Sequence, residues 1–198
     1  DLPRAYNQVT ANRHSAYVGD DINWKNKREE AWNVNYGVRF LHHDYSNSSF
    51  VSPRASISYL PVWRRQIDDS TFVNKHLAFR FSTGSYNQNP FYRELRQLDG
   101  VINPTVQAQR SVHAVLGVDY ELLIWKRPFL LTTELYYKWL YDLVPYELEN
   151  VRQRYYGDNL SDGYAQGVDL KLNGEFVKGV ESWVTLSFLK TEEDLYND

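Results

Sequence analysis

Cysteine is absent from this sequence. That one absence removes disulfides, thiolate nucleophiles and Cys-based zinc or iron-sulfur sites together. Long apolar runs are missing as well: mean hydropathy is -0.59, and no stretch approaches the ~18 residues that a membrane-spanning helix requires. A barrel wall passes this filter, because alternating strands average out in any hydropathy window. An excess of positive charge is also lacking, with a net charge of -3 and a pI near 6.0. Nucleic acid is therefore not an expected partner. The opening Asp1-Leu2-Pro3-Arg4 is not a basic-then-apolar leader, so a secretion signal is expected to be missing, processed off or outside this sequence. Neither a Gly-x-Ser-x-Gly elbow nor a glycine-rich phosphate loop occurs, and neither an enzyme nor a cofactor is expected.

What is present is alternation. Trp32, Val34, Tyr36, Val38 and Phe40 take every second position of one stretch, with Asn33, Asn35, Gly37, Arg39 and Leu41 between them. Successive side chains of an extended chain point to opposite faces, so this is a strand with one greasy face and one mostly polar face. The pattern returns at Val112, Ala114, Leu116, Val118 and Tyr120, and again at Tyr164, Val168, Leu170 and Leu172. Aromatic residues supply 16%, with sixteen Tyr and six Trp. Amphipathic rings in that number suit a membrane interface and equally a sugar-binding sandwich.

The spacing predicts an all-β, antiparallel up-and-down meander of about eight long strands, at 13-24, 31-45, 53-61, 71-84, 110-125, 129-142, 163-175 and 182-192. Its connections alternate. Lys25 to Glu30, Lys126-Arg127-Pro128 and Val177 to Val180 are tight polar reversals, with 61-70 somewhat longer on the same side. On the other side 46-52 is short, whereas 85-109 and 143-162 are long and rich in Asn, Gln, Pro, Tyr and Arg. Turns at one end and extended loops at the other are the pattern of a transmembrane β-barrel. Strands of about 14 residues, tilted ~40°, rise roughly 35 Å, enough to pass a bilayer core and continue beyond it.

Several segments add a resemblance. Phe81-Ser82-Thr83-Gly84-Ser85-Tyr86-Asn87-Gln88-Asn89-Pro90-Phe91-Tyr92-Arg93-Glu94-Leu95 is similar to a stretch of TonB-dependent outer-membrane receptors of the Bacteroidetes type. So are Ser52 to Ser56, Ala108 to His113, Leu143 to Tyr146, Arg154 to Asn159 and Asn173 to Trp183. The resemblance covers nearly the whole chain and implies the C-terminal portion of a 22-stranded barrel in the bacterial outer membrane. It also implies partners: lipid, the remaining strands, an N-terminal plug, the energising TonB complex reached through that plug, and a transported small molecule, glycan or peptide. The chain as it stands reads as barrel wall over 1-198 with no plug, both ends looking cut and two raw sheet edges. A passive pore and a soluble carbohydrate-binding β-sandwich are the alternative readings.

Candidate site residues fall into two groups. Tyr86, Asn87, Gln88, Phe91, Tyr92 and Arg93, in an expected external loop, combine rings for stacking with amides and a guanidinium for hydrogen bonds, a plausible ligand-capture surface. The same loop can instead fold on itself or its neighbours, with Arg93 or Arg96 paired to Glu94 or Asp99. Arg39, Arg54, Arg80, His113, Lys138 and Asp169, with His76, Glu134 and Lys171, oppose the apolar stripes and would point into a lumen, toward water, plug or solute. No metal site is expected. His42 and His43 are adjacent on a strand and cannot join one site, and Asp158 to Gly163 has Leu160 where a calcium loop needs an oxygen ligand.

Overall fold

The computed structural model describes residues 10–68 and 71–196. The opening tetrapeptide and positions 69 and 70 of the expected 61-70 connection lie outside them. Eight strands form one antiparallel sheet: β1 (Arg13–Lys25), β2 (Ala31–His43), β3 (Ser48–Leu60), β6 (Leu77–Gln88), β7 (Gln109–Ile124), β8 (Arg127–Leu143), β11 (Ser161–Val177) and β12 (Val180–Leu195), in that spatial order. Two small hairpins stand beside it, β4 (Trp63–Asp68) with β5 (Thr71–Lys75), and β9 (Tyr146–Glu149) with β10 (Arg152–Tyr155). No helix among the described residues is long and apolar enough to cross a membrane, which says nothing of a β-barrel.

The expected meander is there, with three differences. Residues 71–75 do not run on into the fourth long strand but turn back on β4, while His76, next to the Leu77–Tyr120 pair, still hands its carbonyl to the Glu121 N–H at 2.8 Å. The 61-70 connection is therefore mostly hairpin. The third strand begins at Ser48 rather than 53, since its pairing with β2 continues from Pro53 to Ser48. Its ladder to β6 ends at Arg54 opposite Gly84, beside Pro53, which has no N–H to donate. Finally, the expected 143-162 loop contains β9 and β10, and β6 extends to Gln88, so the loop after it spans 89–108.

Turn chemistry explains the tight end. Trp125 and Lys126 both have positive φ, 50° and 63°, between Ile124 and Arg127, the backbone of a type I′ hairpin whose twist matches its strands. In the 26–30 reversal the Asn26 side-chain oxygen accepts from the Arg28 and Glu30 N–H groups at 2.8 and 3.1 Å. Small polar side chains that bind nearby backbone favour such turns over strand continuation.

Register sorts the side chains into two faces. Trp24, Trp32, Tyr59 and Phe79 lie opposite one another across β1, β2, β3 and β6, with ring centres 6.0, 4.3 and 6.4 Å apart. Tyr137 packs on Trp139 and Tyr164 toward the loop end of the same face. Between these rows Ile57, Phe81, Leu116, Leu135, Val168 and Phe188 continue one apolar band. Tyr36, Val38 and Leu116 stay exposed at 45%, 40% and 47%. Among the described residues the sheet has no packed kernel beneath them.

The buried cluster lies elsewhere, in the loops. Leu95, Val106 and Val144 form it, with Tyr45, Ile102 and Tyr155 packed against it. Burying apolar area here draws three connections into a single cap. Hydrogen bonds tie them: Asn103 Nδ2 donates to the Gly157 carbonyl at 2.9 Å, and Asn159 Oδ1 accepts from the Gln107 N–H at 2.7 Å.

Candidate functional site

The polar face carries its charges at two levels. Gly37, Arg54, Gly84, His113, Lys138 and Ala165 share one register line across β2, β3, β6, β7, β8 and β11. Nearer the tight turns, Ser58, Arg80, Gly117, Glu134 and Asp169 share another. Arg39, opposite Ser52, lies on the same face toward the loops. The register thus places Arg39, Arg54, Arg80, His113, Lys138 and Asp169 on a single face, with Lys171. His76 is not among them, because it lies between β5 and β6.

The two levels differ in how charge is met. Arg80 forms an ion pair with Asp119 and a second with Glu134 at 3.2 Å. Arg54 has no carboxylate partner among the described residues; its guanidinium lies 4.2 Å from the centre of the Tyr86 ring. Tyr86 in turn stacks on His113 at 4.4 Å, and Ser111 Oγ holds His113 Nε2 at 2.9 Å. Gly84 makes room for this stack, since a Cβ there would meet the Arg54 Cγ at 3.0 Å and the Tyr86 ring at 3.2 Å.

Two cavities flank the segment that follows β6. The first, about 610 Å³, lies at the loop end of the polar face and includes Arg13, Arg39, Arg54, Tyr86, Asn89 and Phe91. The second, about 760 Å³, opens between 92–100 and the β9–β10 hairpin, with Arg93, Arg152, Arg154 and Tyr155 in its wall. The expected capture residues are divided between them. Tyr86, Asn87, Gln88 and Phe91 line the first, while Tyr92 and Arg93 line the second.

Local folding explains the division. The Glu94 carboxylate accepts from the Phe91 N–H at 2.8 Å, and the Glu94 N–H donates to the Phe91 carbonyl at 2.9 Å, closing a turn that sends Phe91 and Tyr92 apart. Asp99 accepts from the Val101 N–H at 2.9 Å. The loop packs on its neighbours through Leu95, Val106 and Asn103, and Arg93 makes no ion pair to Glu94 or Asp99 among the described residues. Arg154 pairs with Glu149 and donates to the Leu98 carbonyl at 2.7 Å, fastening the hairpin to the loop.

A model of the TonB dependent receptor-like β-barrel family matches residues 2–197. The chain is a member of the TonB-dependent receptor β-barrel family. Its relatives by that match are outer-membrane transport receptors, not enzymes. No curated protein and no solved structure matches the chain.

Sequence reasoning missed Arg13, Asn89, Arg152 and Arg154 as site residues. Arg152 and Arg154 carried a usable signal, two arginines at strand spacing in a short polar segment. Asn89 carried none. Of the metal candidates, His42 and His43 bind Ser49 and Ser46 at 3.0 Å each, and Asn159 is committed to Gln107. At the edge of the cap the Asp44 carboxylate accepts from the Asn12 N–H at 2.7 Å and from Asn12 Nδ2 at 2.8 Å, and those bonds hold it below the usual aspartate range.

Proposed function

We propose that this barrel wall, of the Bacteroidetes type and from the C-terminal portion of a larger receptor, serves energy-coupled uptake of a scarce or bulky solute across the bacterial outer membrane. The polar face lines the lumen and the apolar face meets lipid. Ten residues separate Phe129 from Trp139 on the apolar side of β8, ~33 Å along the strand and ~25 Å along the membrane normal at ~40° tilt. That matches the apolar band of an outer-membrane barrel. β1 and β12 end the sheet on either side, and at bilayer depth their open backbone groups require pairing with further barrel strands. A plug fills the enclosed space, and the energising TonB complex acts on it.

The single observation that carries the reading is the continuous two-sided sheet of a receptor-family barrel, with a packed loop cap at one end. Capture begins in the cap, with Tyr92 and Arg93, and continues to Tyr86, Asn87, Gln88 and Phe91 at the lumen mouth. The experiment is uptake by cells expressing the intact receptor, with and without an energised inner membrane. Accumulation that stops on de-energising supports the reading. A steady leak conductance in a planar bilayer with no dependence on energy identifies a passive pore instead.

A further inference from the structure

The geometry points to an anionic solute: the cavity at the lumen mouth is a binding site for a body carrying several carboxylate or sulfate groups, an inference that rests on the uptake reading. Arg13, Arg39 and Arg54 reach this cavity from the same face of β1, β2 and β3. Its lining contains no Asp or Glu. Arg110 also belongs to the wall there, but its guanidinium stacks on Tyr141 at 4.6 Å and is not counted with the three.

Arg80 supplies an internal control. On the same face, one level nearer the tight turns, it is met by both Asp119 and Glu134. The chain therefore neutralises an arginine where its own structure needs one neutralised. At the mouth it gathers three around one cavity with no carboxylate in the lining, a concentration of positive charge that attracts an outside anion.

Asn89 is the independent observation. Only 6% of it is exposed, and neither its amide nitrogen nor its amide oxygen has a hydrogen-bond partner. Burying both without partners costs free energy unless something else satisfies them. It lines the same cavity. A turn of the Asn89 side chain brings its amide to a solute with donor and acceptor groups beside its anionic ones, while Tyr86 and Phe91 offer ring faces to its body.

The outer cleft continues the path. Phe91 lines the lumen-mouth cavity and its neighbours Tyr92 and Arg93 line the outer one, where Arg152 also stands, beside Arg154 in its ion pair with Glu149. One short segment thus joins two cation-rich stations, which favours a travelling anion over a fixed acidic patch of the plug.

The test uses the intact receptor in detergent, titrated by calorimetry with citrate and trigalacturonate as carboxylate probes, a trisulfated heparin disaccharide as sulfate probe, and maltotriose as neutral control. Saturable binding of an anionic probe, weakening with salt and absent for maltotriose, is expected; whether citrate and trigalacturonate or the disaccharide binds more tightly tells carboxylate from sulfate. Arg39→Gln with Arg54→Gln should weaken it at least about tenfold, Asn89→Leu should weaken it too, and Arg54→Lys should retain part of it. Heat-dependent gel mobility verifies folding of each variant. Binding of maltotriose equal to that of all three anions, or anion binding unmoved in folded Arg39→Gln/Arg54→Gln receptor, overturns the proposal and leaves the arginines to the plug. Energy-dependent uptake of neutral solutes alone would sink the anion while sparing the uptake reading, and anion binding without energy-dependent accumulation would do the reverse.

Discussion

The Arg54 guanidinium lies 4.2 Å over the Tyr86 ring, and that ring stacks at 4.4 Å on the imidazole of His113. Three neighbouring strands are thereby coupled through side chains at the loop end of the polar face. The stack holds a cation in place without neutralising it, which keeps the charge available to a ligand.

Tyr86→Ala should release Arg54 and weaken binding of an anionic probe about three- to tenfold, the range of a cation-π contact of this kind. Tyr86→Phe keeps the ring and should stay within about twofold. Titration of both variants with trigalacturonate checks this, and equal losses would show that the hydroxyl rather than the ring matters.

Charge placement tests which face meets lipid. Leu116 and Val115 are neighbours on β7 pointing to opposite faces. Leu116→Arg should cost ~2–4 kcal/mol near the bilayer midplane, whereas Val115→Arg should be tolerated. Refolding titrations into lipid vesicles measure both, and the reverse order would invert the sheet.

The cap should loosen independently of the wall. Leu95 is 2% exposed in the cluster with Val106 and Val144, so Leu95→Ala should cost ~2–4 kcal/mol locally. Limited proteolysis should then cut within 89–108 while β7 and β8 stay protected. Simultaneous loss of both would show that the cap is part of the wall's cooperative unit.

Acid should open the edge of the cap at Asn12. The Asn12 bonds lower the Asp44 pKa in the folded protein, so the ionised carboxylate's contribution is present above the ordinary aspartate pKa. It disappears as pH falls through the lowered folded value. Hydrogen exchange at Asn12 should accelerate in that acid window, and Asp44→Asn should flatten the response. An unchanged profile in Asp44→Asn would assign the acid sensitivity to another group.

Legibility differed by element. β2, β7, β8 and β11 were readable because each side chain's face depends on parity alone, and Trp32 to Phe40 alternates without interruption. The fourth expected strand, 71-84, was not, because nothing in Thr71 to Gly84 signals that 71–75 returns on β4. The β9–β10 hairpin escaped for a related reason: its turn residues, Asn150 and Val151, have φ of 48° and 67°, and an exposed valine is not an expected occupant of that conformation.

Alternation and connection lengths by themselves determined a two-sided antiparallel wall and the sharing of one face by Arg39, Arg54, Arg80, His113, Lys138 and Asp169, since a period of two needs no knowledge of neighbours. Only the tertiary structure decided which arginines are neutralised. Arg80 finds Glu134 from 54 positions away, while Arg13, Arg39 and Arg54 converge on one cavity beside an unpartnered Asn89. Pairing across that distance depends on strand register and on how the loops pack, and no local pattern of residues encodes either.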